Sequence, residues 1–439
     1  MSHKSLDMKI VIVGAGFGGL KLARRLNNKR GFEVILVDRV NYHQFQPLLY
    51  QVATAGLDAS NISFPLRKVF QKSKNVRIRL AEVREVIAAQ HKIITSNEQI
   101  DYDVLVLATG TETNFFGNQQ LTERAFPMKS TVEALQLRHK LISNFEDALL
   151  VKDPAQLQRL MNVVVVGGGP TGVELSGALG EMKRYVLPKD YPELDFTKMN
   201  IYLVEGGAKT LGNMSEKSAE DSFKYLTTRL GVKVLTNTVV SNFDGNNVQL
   251  KDGNTIPTKT VIWAAGVTGS VPPGVDKSLF VRGNRLIVDR QARLKGFNNI
   301  YIIGDLAYME TPKYPKGHPQ LASVAIQQAK LVANNLFRLQ HNKNNFEEFE
   351  YHDKGTMATV GRNLAVVDIP KPKLHFRGFL AWFIWMSLHL MLILGVKNRF
   401  FVFSNWVYNY FTYDQSLRLI FPEFYKTSKK EPKDLVLGK

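Results

Sequence analysis

The fold is decided by Lys9-Ile-Val-Ile-Val-Gly-Ala-Gly-Phe-Gly-Gly19, which joins a short apolar run to a glycine-rich turn. Apolar residues follow at helical spacing over residues 20–26, and the next apolar run, residues 34–37, ends at Asp38. A buried strand, a Gly-x-Gly-x-x-Gly turn, a helix and an acid after the second strand are typical of a dinucleotide-binding βαβ unit. The glycine motif alone is weak evidence, so the surrounding elements carry the prediction.

The same order of elements returns in the middle of the chain. Asn162-Val-Val-Val-Val166 runs into Gly167-Gly-Gly-Pro-Thr-Gly172, a helical pattern follows, and the strand over residues 201–204 ends at Glu205. This is an internal duplication of a dinucleotide-binding unit. The sequence therefore predicts an α/β fold with two Rossmann-like dinucleotide-binding domains.

The three glycines of each copy have three different roles. The first permits the tight turn, the second lets the backbone approach a pyrophosphate, and the third lets the helix pack on the strand. They are Gly14, Gly16 and Gly19 in the first copy and Gly167, Gly169 and Gly172 in the second. The pyrophosphate would sit at the positive helix N-terminus, and the acids Asp38 and Glu205 would accept hydrogen bonds from ribose hydroxyls.

Two dinucleotide sites in one chain predict FAD beside NAD(P)H, with hydride passing between the two rings. Glu205 favours NADH over NADPH, because its carboxylate would repel a 2′-phosphate. Lys209 lies close in the sequence and would favour the phosphate, although a solvated surface lysine is the simpler interpretation.

Further strands end at ligand-facing positions. Two apolar runs end in glycine turns, at Gly110 and at Gly266, and one lies downstream of each glycine motif. The run Ile300-Tyr-Ile-Ile-Gly-Asp305 ends in an acid. Asp305 is predicted to bind the ribityl chain of a flavin, and a helix N-cap is the alternative interpretation.

Composition excludes several classes of site. The chain of 439 residues has no cysteine, so disulfides, thiolate metal sites, iron–sulfur clusters and cysteine nucleophiles are impossible. We predict no metal site. The 57 Lys and Arg against 39 Asp and Glu give a formal charge of +18, which suits an anionic membrane surface or a nucleic acid. No basic groove with spaced aromatic residues is present, so we expect no nucleic-acid partner.

The C-terminal part contains a long apolar run. Residues 379–396 are almost wholly apolar, Lys397 and Arg399 follow, and residues 400–413 are rich in aromatic side chains. Eighteen residues sit at the threshold for a membrane span. A buried core helix, a true span and a hairpin within one leaflet are the alternatives, and we favour a monotopic anchor, with a single span second.

Several stretches beyond the glycine motifs are highly specific. They are Phe45-Gln-Pro-Leu-Leu-Tyr-Gln-Val-Ala-Thr54, Ala108-Thr-Gly-Thr-Glu-Thr-Asn-Phe-Phe-Gly117, Trp263-Ala-Ala-Gly-Val267, Ile303-Gly-Asp305 and Lys354-Gly-Thr-Met-Ala-Thr-Val-Gly361. With these stretches the chain resembles the type II NADH:quinone oxidoreductases, single-chain respiratory dehydrogenases that do not pump protons. The resemblance covers nearly the whole length.

The resemblance implies a flavoprotein with two dinucleotide-binding domains and a C-terminal membrane-anchoring helical segment. FAD would be held by Gly14, Gly16, Gly19, Asp38, Thr109, Gly110 and Asp305. NADH would face Gly169, Glu174, Glu205, Ala265 and Gly266. The candidate catalytic residues are Glu174, near the nicotinamide, and Gln327 and Lys354, near the flavin and the quinone.

One stretch departs from the family pattern. The family usually shows Ala-Gln-x-Ala-x-Gln beside the flavin and the quinone, and this chain has Ala322-Ser-Val-Ala-Ile-Gln327. Ser323 therefore replaces the first glutamine, and Gln320 would be a substitute only in a different register. The alternative for Gln327 is an ordinary polar residue on a helix surface.

The predicted domains follow from these motifs. We expect an FAD-binding domain at residues 8–113 and 285–345, an NADH-binding domain at 114–284, and a C-terminal domain at 346–439 with its anchor at about 377–421. The N-terminus lacks an apolar signal region, so we expect the cytoplasmic face of the inner membrane. Expected partners are membrane lipid, NADH, a quinone (ubiquinone or menaquinone) and a second copy of the chain.

Rival functions share the fold. Disulfide reductases and sulfide:quinone oxidoreductases need redox cysteines, which this chain lacks. A flavoprotein reductase of a protein electron carrier, or a non-catalytic NADH-sensing flavoprotein at the membrane, are the remaining alternatives.

Overall fold

The computed structural model describes residues 7–414 and 417–420. The strands are β1 Met8–Val13, β2 Phe32–Asp38, β3 Tyr42–Gln44, β4 Ser63–Pro65, β5 Val76–Leu80, β6 Val83–Ile87, β7 Lys92–Thr95, β8 Gln99–Asp101, β9 Val104–Leu107, β10 Thr111–Thr113, β11 Phe126–Pro127, β12 Val163–Val166, β13 Ile201–Val204, β14 Lys233–Leu235, β15 Val240–Phe243, β16 Asn247–Leu250, β17 Thr255–Pro257, β18 Thr260–Trp263, β19 Val267–Gly269, β20 Phe280–Val281, β21 Arg285–Val288, β22 Ile300–Ile302, β23 Ala307–Met309, β24 Thr356–Gly361, β25 Leu364–Ile369 and β26 Leu374–Arg377. The helices are α1 Phe17–Leu26, α2 Leu49–Ala53, α3 Leu66–Val69, α4 Gln119–Arg124, α5 Thr131–Leu150, α6 Pro154–Met161, α7 Pro170–Tyr185, α8 Leu187–Asp190, α9 Glu216–Lys224, α10 Ala322–Gln340, α11 Gly378–Leu392 and α12 Val396–Thr412.

Two parallel five-stranded sheets form the frame of the molecule. Their strand orders are β22-β9-β1-β2-β5 and β11-β18-β12-β13-β14. In each sheet the strand before the glycine motif lies in the centre, between the second strand of its βαβ unit and a later strand. All residues of β9, β12 and β18 are buried, as expected of parallel strands covered on both faces. The predicted α/β duplication is therefore confirmed.

The duplication extends to single backbone hydrogen bonds at the ends of the strands. The N–H of Gly14 donates to the carbonyl of Val37 at 2.8 Å, and the N–H of Gly167 donates to Val204 at 2.8 Å. Since parallel strands end at the same edge of a sheet, these bonds fix each glycine turn beside the acid that follows the second strand.

A third, antiparallel sheet, β24-β25-β26, packs on helix α7 of the second unit. The contact is close because Gly177 has no side chain. A Cβ at this position would overlap the carbonyl oxygen of Val360 in β24. The approach of the two backbones brings the C-terminal sheet against the same helix that begins at the second glycine motif.

Two helices, α11 and α12, form a hairpin after the third sheet. The apolar run predicted over residues 379–396 is interrupted, because α11 ends at Leu392 and Gly395 adopts a positive φ of 80° before α12. At 1.5 Å per residue, α11 is roughly 22 Å long, less than the ~30 Å of a bilayer core. Within residues 7–414 and 417–420, no helix is long and apolar enough to cross a membrane.

Arg362, in the turn between β24 and β25, holds the C-terminal end of α12. Its guanidinium donates to the carbonyl oxygens of Asn409 and Tyr410, at 2.7 and 2.8 Å, and lies 3.4 Å from the ring centre of Tyr413. A cation is favourable at the negative end of a helix. The third sheet thus fixes the hairpin to the body of the protein. Residues 415–416 and 421–439, at the end of the predicted C-terminal domain, lie outside the described residues.

Replacing Gly177 with Ala tests the contact between α7 and β24. The added methyl group has no room against the Val360 carbonyl, so we expect the free energy of unfolding to fall by about 1–3 kcal/mol. Thermal and urea unfolding measure the change. Gly212→Ala is the matched control, because the nearest atom to its Cβ is 4.0 Å away. Equal stability of the two variants would contradict the packing described.

Candidate active site

Both glycine motifs adopt the same geometry. Gly14 and Gly167 have φ values of 98° and 109°, which residues with a Cβ rarely adopt. A Cβ on Gly19 would overlap the carbonyl of Gly14, and one on Gly172 would overlap that of Gly167. These glycines are required by contacts within the protein itself.

The middle glycines differ from their neighbours. A Cβ on Gly16 or Gly169 would meet no protein atom within 4 Å, and neither residue has a positive φ. Each is the N-cap of its helix, α1 or α7, without a side-chain cap or an acid in the first turn. The open space and the uncapped N–H groups fit a phosphate-containing ligand at both positions.

The two acids bind the glycine loops in the same way. The Asp38 carboxylate accepts from the N–H groups of Ala15, at 2.6 Å, and Val40, at 2.9 Å. The Glu205 carboxylate accepts from Gly168 and Gly207, both at 2.5 Å. Backbone N–H groups thus hold each carboxylate beside its glycine loop. Burial raises the pKa of Asp38 above its usual value, and the hydrogen bonds to Val40 and Ala15 oppose that shift.

Lys209 forms an ion pair near the surface. Its ammonium pairs with Glu216 at the start of α9.

The other predicted nucleotide contacts lie where the later strands end. The Thr109 hydroxyl donates to the Ser270 carbonyl at 2.6 Å. A Cβ added to Gly110 would meet no protein atom within 4 Å. Ala265 and Gly266 follow β18, and Gly266, with φ 112°, lies against the ring of Phe116. These positions border the two glycine loops, since Gly14 packs on Ala108 and Gly167 packs on Ala264.

Asp305 lies in a cluster that the sequence did not predict. Its carboxylate accepts from the Thr111 hydroxyl at 3.3 Å, and Thr111 in turn accepts from the Lys129 ammonium at 2.8 Å. The N-cap of the short helix Gly304–Leu306 is Ile303, so the N-cap interpretation of Asp305 was wrong. No local sequence signal marks Lys129 as a partner of this cluster.

Gln327 is bound to the backbone of the C-terminal segment. Its amide donates to the carbonyl of His352 and accepts from the N–H of His352, both at 3.0 Å. Ser323, the departure from the family pattern, is 2.8 Å from the Tyr351 hydroxyl. Gln320 donates to the Asp305 carbonyl at 3.0 Å. All three residues therefore join α10 and the loop before it to their surroundings.

Lys354 and Glu174 lie near different ends of β24. Lys354 is exposed just before the strand, and Glu174 is buried on α7, where the N–H of Thr359 donates to it at 3.4 Å. Thr359 is five positions after Lys354, a span of at most roughly 17 Å. The structure thus joins Gln327 to the segment of Lys354 and places Glu174, on α7, beside a later residue of β24.

Glu174 lines a cavity of about 120 Å³ between α2, α7, β24, α11 and α12. Burial raises the pKa of its carboxyl to about 8, and the hydrogen bond from Thr359 only partly opposes this. The indole N–H of Trp385 faces the carboxyl from α11 and also opposes the rise of its pKa. The raised pKa favours the protonated, neutral form of Glu174 at pH 7.

Other residues of this cavity were missed by the sequence analysis. Glu181, two helical turns after Glu174 on α7, is half-buried; desolvation raises the pKa of its carboxyl, which accepts a hydrogen bond from the N–H of Arg362. Trp406 donates to Gln51 at 2.8 Å, and Gln51 donates to the buried Tyr50 hydroxyl at 2.9 Å. The spacing of Glu174 and Glu181 by seven residues is a helical signal, but only the packing of α7 shows that both line this cavity.

Known families match this chain in two parts. The pyridine nucleotide-disulphide oxidoreductase family matches residues 8–329, and the NDH2 C-terminal domain matches residues 353–413. The type II NADH:quinone oxidoreductase Ndh of Mycobacterium tuberculosis is 34% identical over 416 residues, which cover 91% of this chain and 87% of that protein. The chain belongs to the type II NADH:quinone oxidoreductases.

A second relative and two solved structures are also similar to this chain. The type II NADH:quinone oxidoreductase of Haemophilus influenzae is 30% identical over 413 residues, covering 87% of this chain and 92% of that protein. The solved structure of NDH2 from Plasmodium falciparum in complex with NADH superposes with a TM-score of 0.85 at 22% identity, over 95% of this chain and 100% of that one. The sulfide:quinone oxidoreductase of Aquifex aeolicus shares the fold at a TM-score of 0.69 and 19% identity, over 92% of this chain and 95% of that one.

Gly169→Ala separates nucleotide binding from folding in this type II NADH:quinone oxidoreductase. The methyl group would enter open space where the pyrophosphate of NADH is expected, so we predict a KM for NADH at least tenfold higher with unchanged thermal stability and FAD content. Gly172→Ala should instead lower stability, because its Cβ would overlap the Gly167 carbonyl. Steady-state kinetics and thermal unfolding of both variants check the contrast. A normal KM in Gly169→Ala would count against the proposed site.

Proposed function

We propose that this chain oxidises NADH and reduces a membrane quinone, with FAD held in the first dinucleotide-binding unit and NADH bound in the second. The observation that carries the proposal is the pair of glycine loops in one chain, each with an open middle glycine at an uncapped helix N-terminus. Membership of the type II NADH:quinone oxidoreductases supports the same function.

The residues that would hold FAD fit the group. The backbone N–H groups behind Gly16 would face the pyrophosphate, and Asp38 the adenosine ribose. Thr109, Gly110 and Asp305 would follow along the ribityl chain. When bound, FAD supplies a two-electron acceptor for hydride and a donor to the quinone.

NADH would bind across the second glycine loop. Gly169 would face its pyrophosphate and Glu205 its ribose, while Ala265 and Gly266 would border the nicotinamide half. Orientation is the contribution of these residues, since hydride transfer needs no catalytic acid. The pairing of Lys209 with Glu216 supports a preference for NADH.

Glu174 is proposed to hold a proton for quinone reduction. A quinone that receives two electrons also needs two protons to become a quinol. Oε1 of Glu174 accepts from Thr359, which leaves Oε2 to carry the proton, and burial keeps the proton in place up to about pH 8. Gln327 and Lys354 are proposed to shape the quinone side, where Gln327 fixes the backbone two residues before Lys354.

The protonation of Glu174 predicts a pH dependence. The carboxyl is neutral below about pH 8 and charged above it, so quinone reduction should slow as the pH rises through 8. Glu174→Gln cannot donate this proton, and we expect quinone reduction at pH 7 to fall roughly 100-fold and lose this pH dependence. Stopped-flow absorbance of the flavin separates the two half-reactions, and reduction by NADH should stay within about twofold.

Glu193→Gln is the control for this experiment, because Glu193 is an exposed carboxylate on the surface. It should leave both half-reactions unchanged. A Glu174→Gln enzyme that keeps the wild-type pH profile of quinone reduction would remove Glu174 from the proposed reaction.

The domain bounds and the assembly remain parts of the proposal. Residues 8–113 and 285–345 would form the FAD-binding domain, 114–284 the NADH-binding domain, and 346–439 the C-terminal domain. The strands of the first and second parallel sheets fall within the first two of these ranges. A homodimer at the cytoplasmic face of the inner membrane is the proposed state.

The hairpin of α11 and α12 is proposed as the monotopic membrane anchor. Its outer face exposes large apolar side chains, among them Phe379 (58%), Phe383 (56%), Phe400 (65%) and Phe411 (78%). Soluble proteins rarely expose an apolar surface of this extent without a partner. Lys397 and Arg399 lie on the same hairpin, where they would meet anionic headgroups.

Serine at both Phe400 and Phe411 tests the anchor. Burial of a phenylalanine in lipid stabilises binding by about 1.5–3 kcal/mol, so the double variant should bind vesicles roughly 100-fold more weakly. Flotation with phosphatidylcholine vesicles containing phosphatidylglycerol measures the bound fraction. Phe223→Ser, at an exposed phenylalanine of α9, is the matched control. Unchanged flotation of the double variant would refute the anchor.

The two rival functions can be separated by one observation. The purified protein should be yellow, lose its colour with NADH and regain it when a quinone is added. A reductase of a protein electron carrier, or an NADH sensor, would lose its colour and then fail to regain it rapidly with quinone. Comparing ubiquinone with menaquinone analogues in the same assay identifies the quinone type.

A further inference from the structure

Lys129 carries a half-buried ammonium group with unused hydrogen-bonding capacity. It lies between β11 and α5, and its Nζ donates to the Thr111 hydroxyl at 2.8 Å. An ammonium has three donors. The other two have no hydrogen-bonding partner among residues 7–414 and 417–420. Burying a charge in this way is costly unless a ligand or a counter-charge completes its surroundings.

The nearby acids do not pair directly with this ammonium. Glu133 accepts instead from the backbone N–H groups of Lys129 and Ser130, at 2.7 and 2.9 Å, as part of the capping box of α5. The Lys129 ammonium is linked to Asp305 only through the Thr111 hydroxyl, which donates to the Asp305 carboxylate at 3.3 Å. In the described part of the chain, no carboxylate lies within 4.0 Å of Nζ. Burial lowers the pKa of Lys129, although Asp305 and Glu133 oppose the shift.

The backbone around Lys129 is held firmly in place. Its carbonyl accepts hydrogen bonds from the side-chain amides of Gln44 and Gln46, both at 3.1 Å. Gln44 also accepts from the N–H of Thr131, at 2.9 Å. These bonds involve the main chain of Lys129, so they survive a change of its side chain. The backbone from which the side chain extends is therefore fixed by bonds that do not depend on the ammonium.

The ammonium borders the proposed FAD contacts from the side of the second domain. Thr111 follows Gly110, around which a Cβ would meet open space, and Asp305 is the proposed ribityl contact. We propose that Lys129 directs its ammonium at the ring system of FAD and stabilises the negative charge that the ring gains when it is reduced. The inference rests on the proposed function and adds a cofactor-contacting residue to it.

The charge balance of the reaction defines what Lys129 does. NADH gives up a hydride, which carries two electrons and one proton, and leaves as NAD⁺. The acceptor ring gains these two electrons and the proton, so its net charge falls by one. Lys129 keeps its own proton throughout. A fixed positive charge beside the ring favours the reduced state and so raises the two-electron midpoint potential.

Lys129→Met in the FAD-loaded enzyme tests the inference by potentiometric titration. We expect the reduction equilibrium to shift at least tenfold toward oxidised FAD, which is about 30 mV for a two-electron couple. Lys129→Arg keeps the charge and should restore most of the potential. Lys152→Met, at an exposed lysine between α5 and α6, is the control and should have no effect.

The outcomes distinguish this inference from the proposed function. An unchanged potential in Lys129→Met, or an equal fall in Lys129→Arg, would overturn the role of the charge while leaving the NADH:quinone activity in place. A wild-type protein that binds no FAD would instead overturn the proposed function. If the Met variant holds FAD weakly, the ratio of its dissociation constants for oxidised and reduced FAD reports the same shift by linkage.

Discussion

The close approach of a helix to a strand, made possible by a missing side chain, is the constraint on which both nucleotide sites depend. Gly19 and Gly172 each lie against the carbonyl of the first glycine of their own loop, with no space for a Cβ. Only this approach brings the N-terminus of α1 or α7 to the end of its central strand. The uncapped N–H groups at that point then form a place for a phosphate group.

Helix α7 links the second nucleotide site to the C-terminal sheet. Its first turn begins at the glycine loop, its middle packs through Gly177 on β24, and Glu174 lies between these two points. The helix therefore places a buried acid next to Thr359 and Trp385. Because β24 also leads to Arg362, which caps α12, the hairpin, the third sheet and α7 form one continuous packed unit.

Local patterns predicted some features of this protein correctly and left others undetermined. The roles of the glycines and the acids were visible because strand, turn, helix and acid follow each other locally. For the apolar run of residues 379–396, the sequence leaves a core helix, a span and a hairpin open. The structure divides the run between α11, which ends at Leu392, and α12, whose N-cap is Gly395. For Asp305, the N-cap interpretation was wrong because the short helix begins one residue before it, with Ile303 as its N-cap. Its partner Thr111 was not predicted, since it is 194 residues away in the chain.

The sequence by itself determined the duplicated α/β fold, the absence of thiol chemistry and the positions of both glycine loops. These follow from local periodicity and composition, which neighbouring residues encode directly. The tertiary structure alone decided that Lys129 donates a hydrogen bond to Thr111 and that Gln327 binds the backbone of His352. It also decided that Glu174 is buried, which raises the pKa of its carboxyl. Such properties depend on which distant segments exclude water from a side chain, and that is set by packing and not by spacing along the chain.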